Sequence, residues 1–382
     1  MSEPLPSSDF DPLPSSLCSS WKLEQGRVSQ WDDWRWQLAH RITTAEEVSE
    51  LLHLNLQQRR QMAELAATYH ISITPYYLSL INLDDPDDPI RKQAIPSWEE
   101  LAAEGEMDPL NEEGDSPVPG LTHRYNDRAL LVSTNFCSVY CRHCTRKRLW
   151  RHGEQAKNRF ELRQMIEYVR QHEEIRDVVI SGGDPLTLPQ SRLEFMLREL
   201  RAISHVEIIR IGTRIPVVLP QRITPELANM LGKYSPVWLN TQFNHPREVT
   251  PEAAEACNRL LRAGVPVNNQ SVLLKGINDN VDTMKELCRA LLRIKVRPYY
   301  LFQCDPVIGA EHFRTPVWKG IEIMEGMRGR MSGLGIPTFV VDGTGGRGKI
   351  PLLPNYLLSV SSDTVTLRNY AGEVFQYPNP QW

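Results

Sequence analysis

The chain has 382 residues, 41% of them hydrophobic, with a formal net charge of -4 and seven cysteines. This length suffices for two or three structural units around a large core, and the slight acidic excess disfavours a general nucleic-acid binder. No apolar run approaches the roughly 20 residues of a membrane span, the N-terminus lacks the order of a signal peptide, and the cysteines fit a reducing compartment, so we expect a cytoplasmic protein with no membrane partner.

The first third of the chain divides into a tail and a helical region. Residues 1–20 are rich in serine and proline, which predicts a disordered tail. Residues 21–122 have a helical pattern, in which Thr44 and Asn55 stand where N-caps precede apolar turns. Prolines from Pro75 onward divide that pattern into short helices, and the acidic, glycine- and proline-containing stretch 104–120 is typical of a connector.

Short β-branched runs alternate with amphipathic helical segments from Ala129 onward. This alternation predicts an α/β fold of βαβ units around a parallel sheet or barrel. The seven predicted strands are 129–136, 178–181, 206–212, 237–243, 265–273, 296–302 and 337–341. Polar residues follow each of them, and in a parallel barrel these strand ends share one mouth, where active sites are assembled. The run from about Ser359 predicts a small antiparallel hairpin and a terminal flap.

Three cysteines stand in a CxxxCxxC spacing, at Cys137, Cys141 and Cys144. Three thiolates so spaced can hold a 4Fe-4S cluster with one iron open to the amino and carboxylate groups of S-adenosylmethionine; electron transfer to the sulfonium then yields a 5'-deoxyadenosyl radical. A zinc knuckle is the alternative, but structural zinc needs a fourth ligand, and His143 is awkwardly placed inside the loop. The spacing resembles that of the radical S-adenosylmethionine enzymes.

Further residues after the predicted strands are candidates for the same cofactor. Ser181-Gly182-Gly183-Asp184 resembles the segment of these enzymes that receives the methionyl amino group, and a plain tight turn is the alternative. We assign Gln270, on the fifth predicted strand, to the same cofactor. The basic run Arg142–Arg148 predicts either a solvated loop or a wall that binds a carboxylate or phosphate. If the cysteines bound zinc instead, Thr145–Arg148 would suit a nucleic-acid-binding module.

A glycine-rich stretch, Gly343–Gly348, precedes Lys349 and satisfies the GxxxxGK part of a phosphate-binding loop. Ile350 stands where that loop needs a magnesium-binding Ser or Thr, and Pro351 disfavours the helix that would hold the phosphates. We therefore favour a lysine that forms a Schiff base, since burial at a barrel mouth lowers the pKa of such an amine toward reactivity.

Several stretches together resemble the lysine 2,3-aminomutases, within a similarity that runs from about Trp31 to about Asn369. They are 73–81, 89–96, 121–128, 217–225, 299–305, 311–317 and 342–349. The resemblance implies an incomplete parallel (βα)6-type barrel over residues 123–335, the radical S-adenosylmethionine core, closed by a C-terminal segment, 336–382. It implies that Lys349 binds pyridoxal 5'-phosphate as a Schiff base. An adenosyl radical would then remove hydrogen from carbon 3 of L-lysine, and the amino group would migrate from carbon 2 to give L-β-lysine.

The resemblance also implies roles for other residues. Arg124 and Arg128 would hold the phosphate and ring surroundings of the coenzyme, and Arg146 would bind the substrate carboxylate, because a guanidinium fork suits both tasks. Asp305 and Asp342 would receive the ε-ammonium, since a buried cation requires compensating negative charge. Arginine stays open as a substrate of the same chemistry, and so does glutamate, although two carboxylates disfavour it.

The chain departs from the family pattern in three ways. Thr344 and Arg347 interrupt a glycine run that relatives keep nearly unbroken, which puts the local loop shape and the substrate fit in question. Asn280 stands where relatives have a zinc-binding cysteine, and no cysteine follows Cys304, so we expect no structural zinc. We also expect an external electron donor such as flavodoxin or ferredoxin, and a homo-oligomer.

Overall fold

The computed structural model describes residues 28–380, so the predicted N-terminal tail lies outside the described residues. The chain first forms short helices: α1 Val28–Trp31, α2 Trp34–Ala39, α3 Ala45–Leu51, α4 Leu56–Thr68, α5 Pro75–Leu78 and α6 Pro89–Ala94. Both predicted N-caps are confirmed. Thr44 forms a capping box with Glu47, and Asn55 forms one with Gln58, so each cap satisfies amides that the first helical turn leaves unpaired.

Seven parallel strands form the centre of the fold. They are β2 Arg128–Val132, β3 Asp177–Ser181, β4 Ile208–Gly212, β5 Val237–Thr241, β6 Val267–Leu273, β7 Arg297–Gln303 and β8 Thr338–Gly343. The strands lie in sequence order, and each pairs with the next in parallel. All seven predicted parallel strands are confirmed. The first ends at Val132 rather than at Phe136, because the backbone from Ser133 onward turns into the cysteine loop.

One helix lies between each pair of successive parallel strands, except that two lie between β4 and β5. In chain order these helices are α7 Arg159–Gln171, α8 Gln190–Arg201, α9 Ile215–Val218, α10 Pro225–Lys233, α11 Pro251–Arg262, α12 Val281–Arg293 and α13 Val317–Met327. Parallel neighbours need such crossovers, because a short turn cannot return the chain to the start of the next strand. The arrangement confirms the predicted (βα)6-type barrel, in which β2 to β7 are the six strands, and β8 adds a seventh parallel strand beside β7.

The residues of each strand alternate between two environments. Val178, Ile180, Ile209 and Ile211 are completely buried in the large hydrophobic core that the strands share with the surrounding helices. Alternate residues face the barrel interior, and there Val179, Arg210 and Gln270, among others, line a cavity. Because pleated strands send successive side chains to opposite faces, the same strands build both the hydrophobic core and the wall of a binding site.

Two antiparallel strands at the sheet edges were not predicted. β1 Leu121–Tyr125 pairs with β2, and β9 Gly348–Pro351 pairs with β8. The predicted C-terminal hairpin and flap form a separate three-stranded antiparallel sheet: β10 Leu357–Val360, β11 Thr364–Arg368 and β12 Val374–Pro378. Within residues 28–380, no helix has the length and apolarity that crossing a bilayer requires.

Candidate active site

A cavity of about 620 Å³ occupies the barrel interior and its mouth. All of the residues predicted for the site line it: Arg124, Arg128, Cys137, Cys141, Cys144, Arg146, Ser181, Gly182, Gly183, Asp184, Gln270, Asp305, Asp342 and Lys349. These residues come from widely separated stretches of the chain. The barrel brings them together because the ends of its parallel strands meet at one mouth.

The three cysteine thiols share one wall of this cavity, in the loop after β2. Cys141 Sγ accepts a hydrogen bond from Arg214 Nη1 at 2.8 Å, and Cys144 Sγ accepts one from the backbone N–H of Arg146 at 3.3 Å. Burial raises the pKa of the Cys144 thiol to about 11. Thiolates at such a site therefore need positive charge beside them, which a bound iron-sulfur cluster supplies.

The basic run beside the cysteines is internal to the protein. Arg142 is completely buried, and its Nη2 donates to Glu100 Oε2 at 2.6 Å. Lys147 Nζ donates to the same carboxylate oxygen at 2.7 Å. The solvated-loop alternative is wrong for these two cations, and the carboxylate that they bind belongs to the protein itself. Their anion is Glu100, which follows α6, so the cysteine loop is anchored to the helical region.

The two glycines of the Ser181–Asp184 segment lie against the backbone that leads into the cysteine loop. Gly182 has a φ of 139°, and a Cβ there would lie 2.2 Å from Thr134 O. A Cβ on Gly183 would lie 2.4 Å from Phe136 O. The glycines are thus required by close approach of the chain that leads into the cysteine loop, and not by a ligand alone.

Asp184, the last residue of this segment, is buried and forms hydrogen bonds with the residues that follow β4. Its carboxylate accepts from Thr213 Oγ1 at 2.6 Å and from the backbone N–H of Arg214 at 2.7 Å. Two strand ends are therefore tied together directly behind the cysteine loop. The carboxylate is occupied within the protein, although the residue lines the cavity.

Lys349 lies on β9 rather than within a loop. The β8–β9 hairpin places it directly opposite Asp342, and its Nζ lies 2.9 Å from Asp342 Oδ1. Its backbone N–H donates to Tyr125 Oη at 2.9 Å, which ties β9 to β1. A phosphate-binding loop needs a helix after its glycines, and here a strand follows. The phosphate-loop alternative is therefore wrong.

The interrupted glycine run keeps its turn geometry. Gly345, Gly346 and Gly348 have φ values of 69°, 81° and 80°, in the left-handed region that favours glycine. Thr344 and Arg347 have no positive φ, so a side chain at either position fits the turn without strain. Both side chains are therefore compatible with the backbone of this turn.

Asp305 and Asp342 form a pair of carboxylates at the cavity wall. Burial, and after it the negative charge of Asp342, raise the pKa of Asp305 to about 7. Thr145 Oγ1 donates to Asp305 Oδ2 at 3.2 Å, and Lys349 is the cation bound to Asp342. Asp342 thus already has a cation, whereas the raised pKa of Asp305 reflects burial and negative charge that a further cation would offset.

Each of the three predicted arginines forms an ion pair with a carboxylate of the protein. Arg124 Nε lies 2.7 Å from Asp115 Oδ2, and Arg128 Nε lies 2.8 Å from Asp127 Oδ1. Arg146 binds the buried Glu112 through both Nε and Nη2, and its Nη1 donates to Ser181 Oγ and the Gly182 carbonyl. The Nε and Nη2 atoms of Arg146 are therefore committed to Glu112, and a carboxylate that binds this guanidinium would share or replace the partners of Nη1.

Glu112 belongs to residues 106–116, which we call the strap. The strap lies within the stretch 104–120 that was predicted to be only a connector. Burial opposes ionisation of Glu112, but the guanidiniums of Arg146 and Arg148 outweigh it and lower its pKa to about 2. The strap also pairs with the glycine-rich turn, since Gly345 N donates to Pro109 O at 2.8 Å. One feature of the sequence indicated this contact: the stretch is acidic, and the run after the cysteines is basic.

The combination of a parallel (βα)6-type barrel with three clustered thiols at its mouth defines a radical S-adenosylmethionine enzyme. A family model described as the radical SAM superfamily matches residues 131–288, and one described as lysine-2,3-aminomutase matches residues 324–382. The chain is 55% identical to the L-lysine 2,3-aminomutase of Clostridium subterminale, over 92% of this chain and 85% of that protein.

Two further relatives support the same assignment. The L-lysine 2,3-aminomutase of Acetoanaerobium sticklandii is 53% identical, over 92% of this chain and 86% of that protein. The glutamate 2,3-aminomutase of Clostridioides difficile is 46% identical, over 92% and 83%. The chain belongs to the lysine 2,3-aminomutase family.

Proposed function

We propose that this enzyme interconverts L-lysine and L-β-lysine by moving the amino group between carbon 2 and carbon 3. The observation that carries the proposal is the position of Asp305 and Asp342. Both carboxylates line the cavity into which the three thiols and Lys349 also open. A substrate held there needs a positive charge at the end remote from its reacting carbons, and lysine has one.

The iron-sulfur cluster and S-adenosylmethionine are assigned to one side of the cavity. Cys137, Cys141 and Cys144 would ligate the cluster, and the fit is supported by the hydrogen bonds that two of their sulfur atoms accept. S-adenosylmethionine would lie against the Ser181–Asp184 segment and Gln270, which line the same cavity.

The coenzyme pyridoxal 5'-phosphate is assigned to the opposite side. Lys349 would hold it covalently, since this amine lines the cavity beside an aromatic ring, 5.0 Å from the centroid of Phe302. Arg124 and Arg128 would bind its phosphate region, because guanidinium groups suit phosphate oxygens and both line the cavity. When bound, these cofactors supply a carbon-centred radical and a conjugated ring that delocalises an unpaired electron.

The residues of the chain bind and orient the substrate between the two sides. Arg146 would bind the α-carboxylate through Nη1, in exchange for its bonds to Ser181 Oγ and the Gly182 carbonyl, while Glu112 holds Nε and Nη2. Asp305 and Asp342 would grip the ε-ammonium, so that lysine is held at both ends and carbon 3 is fixed between them. Binding at both ends fixes the substrate in one orientation. Removal of a hydrogen atom by a radical over a short distance requires such an orientation.

Substrate choice follows from the charge of this pair. A γ-carboxylate from glutamate would add a third negative charge beside Asp305 and Asp342, which disfavours that substrate even though one relative is named for it. Arginine carries the same charge as lysine on a longer side chain. Lysine matches both the charge of the pair and the names of the more similar relatives.

Other parts of the proposal concern the surroundings of the enzyme. An external one-electron donor such as flavodoxin or ferredoxin would reduce the cluster, and a reducing, cytoplasmic setting would suit the buried free thiols Cys257, Cys288 and Cys304. We also propose a homo-oligomer. Its supporting observation is the exposed apolar surface of the C-terminal sheet, where Val360 and Tyr377 are 63% and 59% exposed.

The direct test is an anaerobic assay of the purified protein. Iron, sulfide and pyridoxal phosphate are reconstituted, S-adenosylmethionine and dithionite are added, and β-amino acids are measured with lysine, arginine and glutamate side by side. Formation of β-lysine well above the other products is the expected result. Preferred conversion of another amino acid would refute the substrate assignment, and no turnover with a fully loaded cluster would refute the reaction.

A further inference from the structure

A buried arginine contacts the cysteine loop through a sulfur atom. Arg214 directly follows β4 and is 6% exposed. Its Nη1 donates to Cys141 Sγ at 2.8 Å. On the other side of the guanidinium, Nε donates to the carbonyl of Gln242 at 3.1 Å and Nη2 to Glu248 Oε1 at 2.6 Å. The guanidinium is therefore fixed by groups outside the cysteine loop.

The helical region adds two more anchors to Nη2. Gln93 Oε1, on α6, lies 2.6 Å away, and Tyr77 Oη, on α5, lies 3.0 Å away. Tyr77 Oη itself donates to Glu248 Oε1 at 2.7 Å. Because these partners come from three separate parts of the chain, the guanidinium cannot rotate away from the sulfur without breaking several buried hydrogen bonds at once.

The charge of this arginine is balanced close by. Glu248 is completely buried and forms the ion pair with Arg214. A purely structural role would be complete with that pair, since a buried cation needs an anion and hydrogen-bond acceptors, and Arg214 has both without the sulfur. The bond to Cys141 is thus the feature that a structural role does not require.

We propose that Arg214 sets the reduction potential of the 4Fe-4S cluster by donating a hydrogen bond to its Cys141 ligand. The inference rests on the proposed cluster site. Reduction adds negative charge that spreads onto the ligating sulfurs, and a donor aimed at one of them stabilises the reduced state more than the oxidised state. Arg214 therefore makes the cluster easier to reduce, and acts as a positioning residue through the Cys141 sulfur.

Two substitutions separate this role from a structural one by the sign of their effect. Arg214→Gln removes the donor to sulfur and is expected to shift the midpoint potential in the negative direction. Because the bond is present in both oxidation states and only its strengthening on reduction counts, the equilibrium constant for reduction should fall by up to roughly tenfold. Glu248→Gln keeps the donor, removes the balancing negative charge and is expected to shift the potential in the positive direction.

The potentials are measured by redox titration of the reconstituted proteins, followed by electron paramagnetic resonance, with iron and sulfide content determined for each. Opposite shifts support the proposal. Shifts of the same sign, or no shift in Arg214→Gln with a fully loaded cluster, overturn it. If the unsubstituted protein assembles no 4Fe-4S cluster, the proposed function fails instead, and iron analysis identifies that outcome separately.

A measurement on the unsubstituted protein covers the case in which Arg214→Gln does not fold. The protein is produced with arginine labelled with 15N in the guanidinium group, and the reduced cluster is examined by pulsed electron-nuclear double resonance without S-adenosylmethionine. A 15N coupling to the cluster is expected from a donor 2.8 Å from Sγ. Absence of any such coupling overturns the proposed hydrogen bond.

Discussion

The carboxylate pair predicts a specific pH dependence of lysine use. Burial and the charge of Asp342 raise the pKa of Asp305 to about 7 in the enzyme without substrate. The ε-ammonium of lysine stays protonated far above this pH, so binding favours the ionised form of Asp305. Below pH 7 the free enzyme must therefore lose a proton when it binds lysine, and this requirement weakens binding as the pH falls.

The magnitude follows from the titration of one group. With a pKa of about 7, about nine tenths of the Asp305 side chains are ionised at pH 8 and about one tenth at pH 6, so this group alone lowers kcat/KM for lysine about tenfold over that range. Asp305→Asn replaces this carboxyl group with an amide that does not ionise, so the pH dependence due to this group disappears. It also removes one partner of a partly buried ion pair, which costs about 2–3 kcal/mol, or roughly 30- to 150-fold at pH 8.

The assay compares initial rates of β-lysine formation by cofactor-loaded enzyme and by Asp305→Asn between pH 6 and 8. The ratio of their kcat/KM values is the decisive quantity, because ionisations of the substrate and cofactors affect both proteins alike. We expect the ratio to fall about tenfold from pH 8 to pH 6. Asp282→Asn, whose side chain is 91% exposed, serves as the control and should follow the unsubstituted enzyme. A ratio that does not change with pH would refute the reasoning.

Three further predictions concern the coenzyme lysine, a buried carboxylate and the glycine pair. Lys349→Ala should lose the borohydride-trappable link to pyridoxal phosphate and keep its iron, and a coenzyme trapped on another lysine would contradict the assignment. Glu100→Gln leaves two buried cations without their shared anion and should lower the free energy of unfolding in urea by about 3–5 kcal/mol. Glu113→Gln, at a carboxylate that is 76% exposed, should cost less than about 1 kcal/mol, and equal losses would disprove this account. Gly182→Ala forces a Cβ to within 2.2 Å of a backbone oxygen and should bind less iron on reconstitution than Gly333→Ala, whose Cβ meets nothing within 4 Å; equal iron contents would argue against it.

Much of the fold was predictable because its signals are local and repeated. The parallel strands stand out as buried β-branched runs between amphipathic helices, and CxxxCxxC is a spacing with few alternative uses. The edge strands β1 and β9 were not predictable in this way. Each has only four or five residues, and β9 begins in a glycine-rich turn, so neither shows an alternating pattern long enough to recognise.

The missed parts of the site depend on pairing between distant polar residues. Glu112 and Glu100 look like surface acids in the sequence, yet each is buried against cations of the basic run. Arg214 likewise gives no local sign that it will contact Cys141, 73 residues away. Such pairs have no periodicity along the chain, and only the three-dimensional structure reveals them.

The β8–β9 hairpin has a consequence for how this site tolerates change. Asp342 and Lys349 are opposite each other because the backbone ladder of the hairpin pairs them in register. Inserting or deleting one residue in the turn between them would slip the register and send one of the two side chains to the other face of the sheet. The length of this turn is therefore constrained more tightly than its composition at Thr344 and Arg347, where the backbone does not require a glycine.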